Sequence, residues 1–140
     1  MKQTHILWFL GWLLLPLLAG CGMHQDLNKT DAAVSKFHEQ LDAGSFAQIY
    51  ADSDDAMKKA ASEARLTDLL SAVNRKLGHV KKADRQGFFV NWNTSGKFVR
   101  VNYKTQFDAD TADEEFVFHV SSNRVSLVGY HINSDALIVK

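Results

Sequence analysis

The chain has 140 residues, with 16 basic and 16 acidic side chains, one cysteine and one proline. So even a charge balance supplies no basic field to neutralise phosphates, which excludes nucleic-acid binding, and a lone thiol can build neither an internal disulfide nor a metal site by itself. Hydrophobic and charged fractions of 46% and 23% are those of an ordinary globular domain, which excludes disorder.

Residues 1–20 carry one charged side chain, Lys2. Ile6 to Leu18 is an apolar run of about 13 positions, the length of a signal-peptide core rather than the roughly 20 that a spanning helix needs, and Pro16 would break a helix there. The run closes on Leu18-Ala19-Gly20-Cys21, which resembles the lipobox of bacterial lipoprotein precursors. That resemblance implies cleavage before Cys21, a lipid on its thiol as the link to a membrane, and a periplasm-facing position in the cell envelope. Gly22 after the cysteine, by similarity to enterobacterial lipoproteins, points to the outer membrane rather than the inner one. The competing reading is an uncleaved anchor, with Lys2 holding the amino terminus inside. Residues 1–20 are thus expected to be a leader, 21–29 a lipidated cysteine with a short polar tether, and 30–140 one domain. Extended, the eight tether residues reach under about 30 Å.

Thr30 or Asp31 is expected to cap a first helix with Val34, Phe37 and Leu41 on its apolar face, ended by Gly44. Ser45 and Gln48 have the spacing of a capping box for a short helix carrying Phe46, Ile49 and Tyr50. Asp54 or Asp55 can cap the turn around Met57. From Ser62 the pattern is the cleanest in the chain, with Leu66, Leu69, Leu70, Val73 and Leu77 on one stripe, stopped at Gly78.

Beyond Gly78 the hydrophobic period falls from about 3.6 to 2. Strands are expected at Lys82–Trp92, Lys97–Phe107, Glu114–Val120 and Val125–Ile132, joined by polar turns short enough to make neighbours antiparallel. Folding at those turns pairs Val90 with Val99, Phe88 with Val101, Tyr103 with Phe118, Val101 with Val120, and Phe118 with Leu127. One face then collects Phe88, Val90, Trp92, Val99, Val101, Tyr103, Phe107, Phe116, Phe118, Val120, Val125 and Leu127, with Phe107 sitting awkwardly opposite Glu114. Gly87 marks a bulge. The expected fold is α+β, with amino-terminal helices packed on a curled four-stranded antiparallel meander.

Helices first and a curled antiparallel sheet after resemble the cystatin-like or nuclear-transport-factor-2-like class. The stretches Phe37-His38-Glu39-Gln40-Leu41-Asp42-Ala43-Gly44-Ser45-Phe46, Tyr50, Arg75-Lys76-Leu77-Gly78 and Gly129-Tyr130-His131-Ile132-Asn133-Ser134 resemble small bacterial secreted or lipid-anchored proteins of uncharacterised function. The resemblance implies a fold and transfers no activity.

Chemistry is sparse. His119 and His131 fall on opposite sheet faces in this register, which separates them as metal ligands. His38 flanks the first helix stripe, and His79 follows a helix stop where an imidazole can meet the last carbonyls. Asp52-Ser53-Asp54 and Asp108-Ala109-Asp110 begin like calcium loops, but Ala56 and Ala112 stand where the third carboxylate belongs, so capping and turn formation explain them better. Asp84, His119 and His131 are the residues to inspect as a general base. The glycosylation-like Asn28-Lys29-Thr30 and Asn93-Thr94-Ser95 are chance matches in a bacterial lipoprotein. No metal or cofactor is expected.

The outer sheet face mixes Phe89, Phe98, Val117, Val128 and Tyr130 with Arg100, Lys104 and His119, more large apolar groups than a purely solvated face carries. The expectation is a lipid-anchored, non-catalytic interaction module that uses this face toward an envelope protein or a second copy. The alternative is a small-ligand binder, or a hydrolase or isomerase, with a cavity between helices and sheet.

Overall fold

Period and punctuation set the element order in the computed structural model, which describes residues 21–138. The helices are α1 (Cys21–Asp42), α2 (Phe46–Asp52), α3 (Asp55–Ala60) and α4 (Glu63–Leu77); strands β1 (Val80–Asn93), β2 (Gly96–Phe107), β3 (Thr111–Val120) and β4 (Val125–Asn133) follow, then a single helical turn, α5 (Asp135–Ile138). The strands form one antiparallel sheet in the order β1-β2-β3-β4. The α+β architecture is therefore the one that the periodicity predicts. Residues 1–20, expected to be a leader ending in Leu18-Ala19-Gly20, lie outside the described residues.

The first helix starts earlier than expected. Nothing from Met23 onward breaks it, and Leu27 and Thr30 extend the buried stripe of Val34, Phe37 and Leu41 back by two turns. Thr30 caps nothing; its buried hydroxyl donates to the Leu27 carbonyl. Gly22 to Lys29 is thus helix rather than extended tether, and at 1.5 Å per residue it rises only about 12 Å. Ser45 starts α2 without a side-chain cap, since Gln48 donates instead to Asp52. Asp54 does cap α3 through the Ala56 N–H, and Ser62 caps α4 through that of Arg65.

Leu66, Leu70, Val73 and Leu77 of α4 are buried, while Leu69 lies at the stripe's margin, 42% exposed. Gly78 ends the helix at φ +77°, where a Cβ would also come within 2.7 Å of Asp108. Only glycine satisfies both constraints.

The register of β1 on β2 is as expected at Val90–Val99 and Phe88–Val101, and β1 slips between Arg85 and Gly87. Between β2 and β3 the expected pairing is four residues out. Tyr103 faces Glu114 and Val101 faces Phe116, because β3 begins at Thr111 and the turn is tighter. An even offset leaves every side chain on its expected face. Val99, Val101, Tyr103, Phe107, Phe116, Phe118, Val120 and Leu127 are buried against the helices.

A second slip, between Val117 and Phe118, makes Val128 an extra residue of β4. Everything after it changes sides. Phe118 faces Leu127, whereas Phe116 faces Tyr130 and Glu114 faces Ile132, so Tyr130 and Ile132 point into the core and His131 joins His119 on the outer face. Both placements correct the expectation of strict alternation.

Candidate functional site

The bulge that turns Tyr130 inward also completes a polar cluster between the layers. Glu114 of β3 is buried, 2% exposed, and its carboxylate meets three groups. Tyr130 donates its phenol to Oε1 at 2.7 Å, Thr105 donates its hydroxyl to Oε2, and His38 Nε2 of α1 lies 2.8 Å from Oε2. Phe37 and Phe116 wall the group, Phe116 edge-on to His38 at 5.8 Å. Burial raises the Tyr130 phenol well above its ordinary value, and the adjacent Glu114 charge raises it further. Each buried polar atom of the cluster has a partner. The Glu114 side chain has no exposed surface, so its carboxylate is closed to a substrate and ties α1 to β2, β3 and β4.

A related contact sits nearer the surface. Tyr103 donates to Asp31 of α1, which also pairs with Arg85 of β1 at 3.0 Å. Burial first, and then the Asp31 carboxylate, push the Tyr103 phenol up.

On the outer face the expected residues scatter. Arg100 lies 3.6 Å from Glu115, and Lys104 is 2.9 Å from Asp113. His119 stacks on Phe98 at 5.0 Å and reaches Asp54 at 3.1 Å, where the Ser126 hydroxyl also donates. Burial pushes the Asp54 carboxyl up, but the Ala56 N–H, Ser126 and His119 together outweigh it, leaving the group below its ordinary value. Val117 and Val128 are half-buried, and Phe98 likewise. Tyr130 is not on this face at all. His131 and Asp84 are exposed, Asp84 being held by Lys82, and His131 sits opposite Glu115, four β3 residues from His119.

The two acidic runs have four separate tasks. Asp52 accepts from Lys36, Gln40 and Gln48, and Asp54 caps α3. Asp108 binds Lys81 and the His79 N–H, contacts that hold its carboxyl down at about 2. Asp110 accepts from Ser134 and the Ala136 N–H, closing the chain end against the β2–β3 turn. Among the described residues, no three His, Cys, Asp or Glu side chains converge as metal ligands would.

What is left open is one edge of the sheet. Among the described residues, β1 has a neighbour on one side only, and its second half, Gly87-Phe88-Phe89-Val90-Asn91-Trp92-Asn93, has no charged residue. Phe88 is 45%, Phe89 62% and Trp92 70% exposed. Phe88 and Trp92 lie on the inner face and Phe89 on the outer, so both sides of this half-strand are aromatic. Edge strands normally carry charges or cover that discourage pairing. The first half of β1 has them, in Lys81, Lys82, Asp84 and Arg85.

A family model described as a protein of unknown function, DUF4019, matches residues 33–130. The chain belongs to this family. The matched stretch contains His38, Thr105, Glu114 and Tyr130 as well as all of β1, and leaves out the first turns of α1. Among curated proteins there is no match.

Sequence reasoning missed Glu114. Its signal was present in the awkward pairing with Phe107: an acidic residue at an inward strand position needs buried donors, and three were available on other elements.

Proposed function

We propose that this DUF4019 protein is a lipid-anchored component of the bacterial cell envelope, facing the periplasm from the outer membrane, and that it works as a non-catalytic interaction module. The observation that carries the interaction is the uncharged, aromatic half of β1, an edge with open main-chain groups and apolar side chains on both faces. Such an edge takes up an extended segment of another protein as an additional strand, main-chain hydrogen bonds giving affinity and alternate side chains giving selectivity. The outer face expected from sequence contributes Phe89 to this surface, while Arg100, Lys104 and His119 are engaged in local pairs.

The anchor rests on the resemblance of Leu18-Ala19-Gly20-Cys21 to a lipobox. Catalysis gains no support, because the carboxylate cluster buried among the described residues, at Glu114, is sealed. A small-ligand cavity at the centre of the helix–sheet interface gains none either, since Phe37, Leu41, Leu70 and Phe116 are packed there.

A photocrosslinking residue at position 89, introduced in cells, should give a discrete adduct that the same residue at position 69, on the exposed margin of α4, does not. Identical adducts from both positions, or none from either, would remove the binding reading. Labelled palmitate should enter the protein and be lost in Cys21→Ala; label that never enters would remove the anchor.

A further inference from the structure

The first turns of α1, the β1–β2 turn and the β3–β4 turn gather at one end of the molecule. Asp26 of α1 pairs with Lys97 at the start of β2, and Lys29 donates to the Ser122 carbonyl in the β3–β4 turn. A groove of about 630 Å³ between them is lined by Gly22, Asp26, Trp92, Lys97, Val120 and Ser122, among others. This end also holds Cys21, and the apolar run Ile6–Leu18 ends three residues before it. Cys21 already belongs to α1, and only Ala19 and Gly20 separate it from the apolar run, a link of about 7 Å at most. Whether the attachment is an acyl chain on the cysteine or the apolar run itself, the bilayer meets this end of the domain.

The residues there suit that neighbour. Trp92 and Met23 are 70% and 53% exposed, and an amphipathic indole is the side chain most favoured at the depth of the headgroups. The turn residues Thr94-Ser95 and Ser121-Ser122-Asn123 are polar without charge, and Arg124 closes the second turn. Of the charges, Asp26 and Lys97 cancel each other, whereas Lys29 and Arg124 bond to main-chain carbonyls rather than carboxylates. Among the described residues, Lys29 and Arg124 thus keep charges that no carboxylate neutralises and that can meet anionic headgroups.

We infer that this end is a bilayer-contact surface, with Trp92 and Met23 seated in the headgroup region and Lys29 and Arg124 facing lipid phosphates. The inference rests on membrane attachment at or before Cys21, as proposed above. The strands then stand away from the membrane, with the β2–β3 turn and α5 at the far end. A 22-residue α1 sets a height of about 33 Å. The β1 edge rises from the lipid outward, with Trp92 at its membrane end and Phe89 about 10 Å above it, where a partner can reach it. The same orientation argues against a two-fold dimer through antiparallel β1–β1 pairing. That axis would turn the second copy's Cys21 end away from the membrane.

The test uses the full chain with Trp8→Phe and Trp12→Phe, which leaves Trp92 as the sole tryptophan, reconstituted in phosphatidylcholine–phosphatidylglycerol vesicles whose acyl chains are brominated near the headgroup. Trp92 emission should shift to the blue and be mostly quenched. A tryptophan placed at the far end instead, by Ala109→Trp in a Trp92→Phe background, should stay unquenched. Lys29→Glu with Arg124→Glu should lower the Trp92 quench toward the value in purely zwitterionic vesicles. If the protein fails to float with the vesicles, attachment itself is wrong and this inference falls with it. Flotation with Trp92 unquenched, or quenched no more than the far-end probe, overturns the contact surface alone. A quench insensitive to both the charge reversal and the lipid charge overturns the assignment of the two cations.

Discussion

The two edges of the sheet are built in opposite ways. The β4 edge is closed: the Asp54 N–H donates to the Leu127 carbonyl, the Asp54 carboxylate holds Ser126 and His119, and the Val128 bulge swings Tyr130 inward onto Glu114. Each device ties β4 to a helix or a neighbouring strand. The β1 edge is fixed only in its charged half, where Asp42 accepts from the Val80 N–H and Asp31 from Arg85; past the slip at Gly87 it runs on without cover. The closed side supplies stability and the open side supplies surface. If that division is right, substitutions on the β4 side should change unfolding free energy, and those on β1 should change contacts and little else.

The largest effect should come from Glu114. Glu114→Ala leaves the Tyr130 and Thr105 hydroxyls and His38 without their acceptor in a sealed site, and should cost about 3–5 kcal/mol, the range for breaking a buried charged network. Denaturant unfolding measures it. Glu114→Gln keeps one acceptor oxygen and should cost less, about 1–3 kcal/mol. A loss under 1 kcal/mol in the alanine variant would mean that the cluster does not hold α1 to the sheet.

Next comes the latch on β4. Asp54→Ala removes the α3 cap together with the Ser126 and His119 contacts, and should cost about 1–2 kcal/mol. The latch also carries a pH signature. With the folded-state carboxyl below its ordinary value of 3.8, its contribution is complete above that value and lost as pH falls through the lower, folded-state one. Wild type should therefore lose stability on acidification below about pH 4. The Asp54→Ala variant should lose less over the same range, and equal slopes would contradict the assignment.

How far the fold could be read from sequence follows from what each residue's placement depends on. Helix stripes and strand alternation are local, so Val34, Phe37, Leu70, Val99 and Phe118 are buried as expected. The β2–β3 register failed by four residues because it hangs on a turn, Asp108 to Asp110, whose tightness comes from partners far along the chain, Lys81 and Ser134 among them. Tyr130 was misplaced because one extra residue in β4 inverts every later side chain; the signal was Gly129 beside Val128, a glycine inside a strand like the one that marked the bulge at Gly87. The early start of α1 was obscured because Asn28-Lys29-Thr30 looks polar, although Thr30 satisfies its hydroxyl within the helix. Of the site, the individual aromatics of β1 were legible, but three of them were divided between a buried face and an outer one. Their common exposure depends on how far the helices reach across the sheet, which no strand pattern encodes.

The smallest expected change in stability is also the sharpest test of the comparison. Phe89 lies on the outer face of β1, 62% exposed, opposite Arg100, and no core residue depends on it. Replacing it by serine removes an apolar surface that folding barely buries, so unfolding free energy should stay within about 0.5 kcal/mol of wild type. An interaction surface predicts something else for the same substitution. The ring is central to the uncharged half of the edge, and a strand laid along β1 would cover it with that strand's own side chains, so Phe89→Ser should lose most of the in-cell adduct formed by a crosslinker at position 91. Amide exchange separates the two effects: protection in β3 and β4 should be the same in both proteins, while any protection that a partner confers on Gly87 to Asn93 should vanish from the variant. Unchanged stability with an unchanged adduct would leave β1 merely uncovered, and a large stability loss would make Phe89 part of the core that the structure places elsewhere.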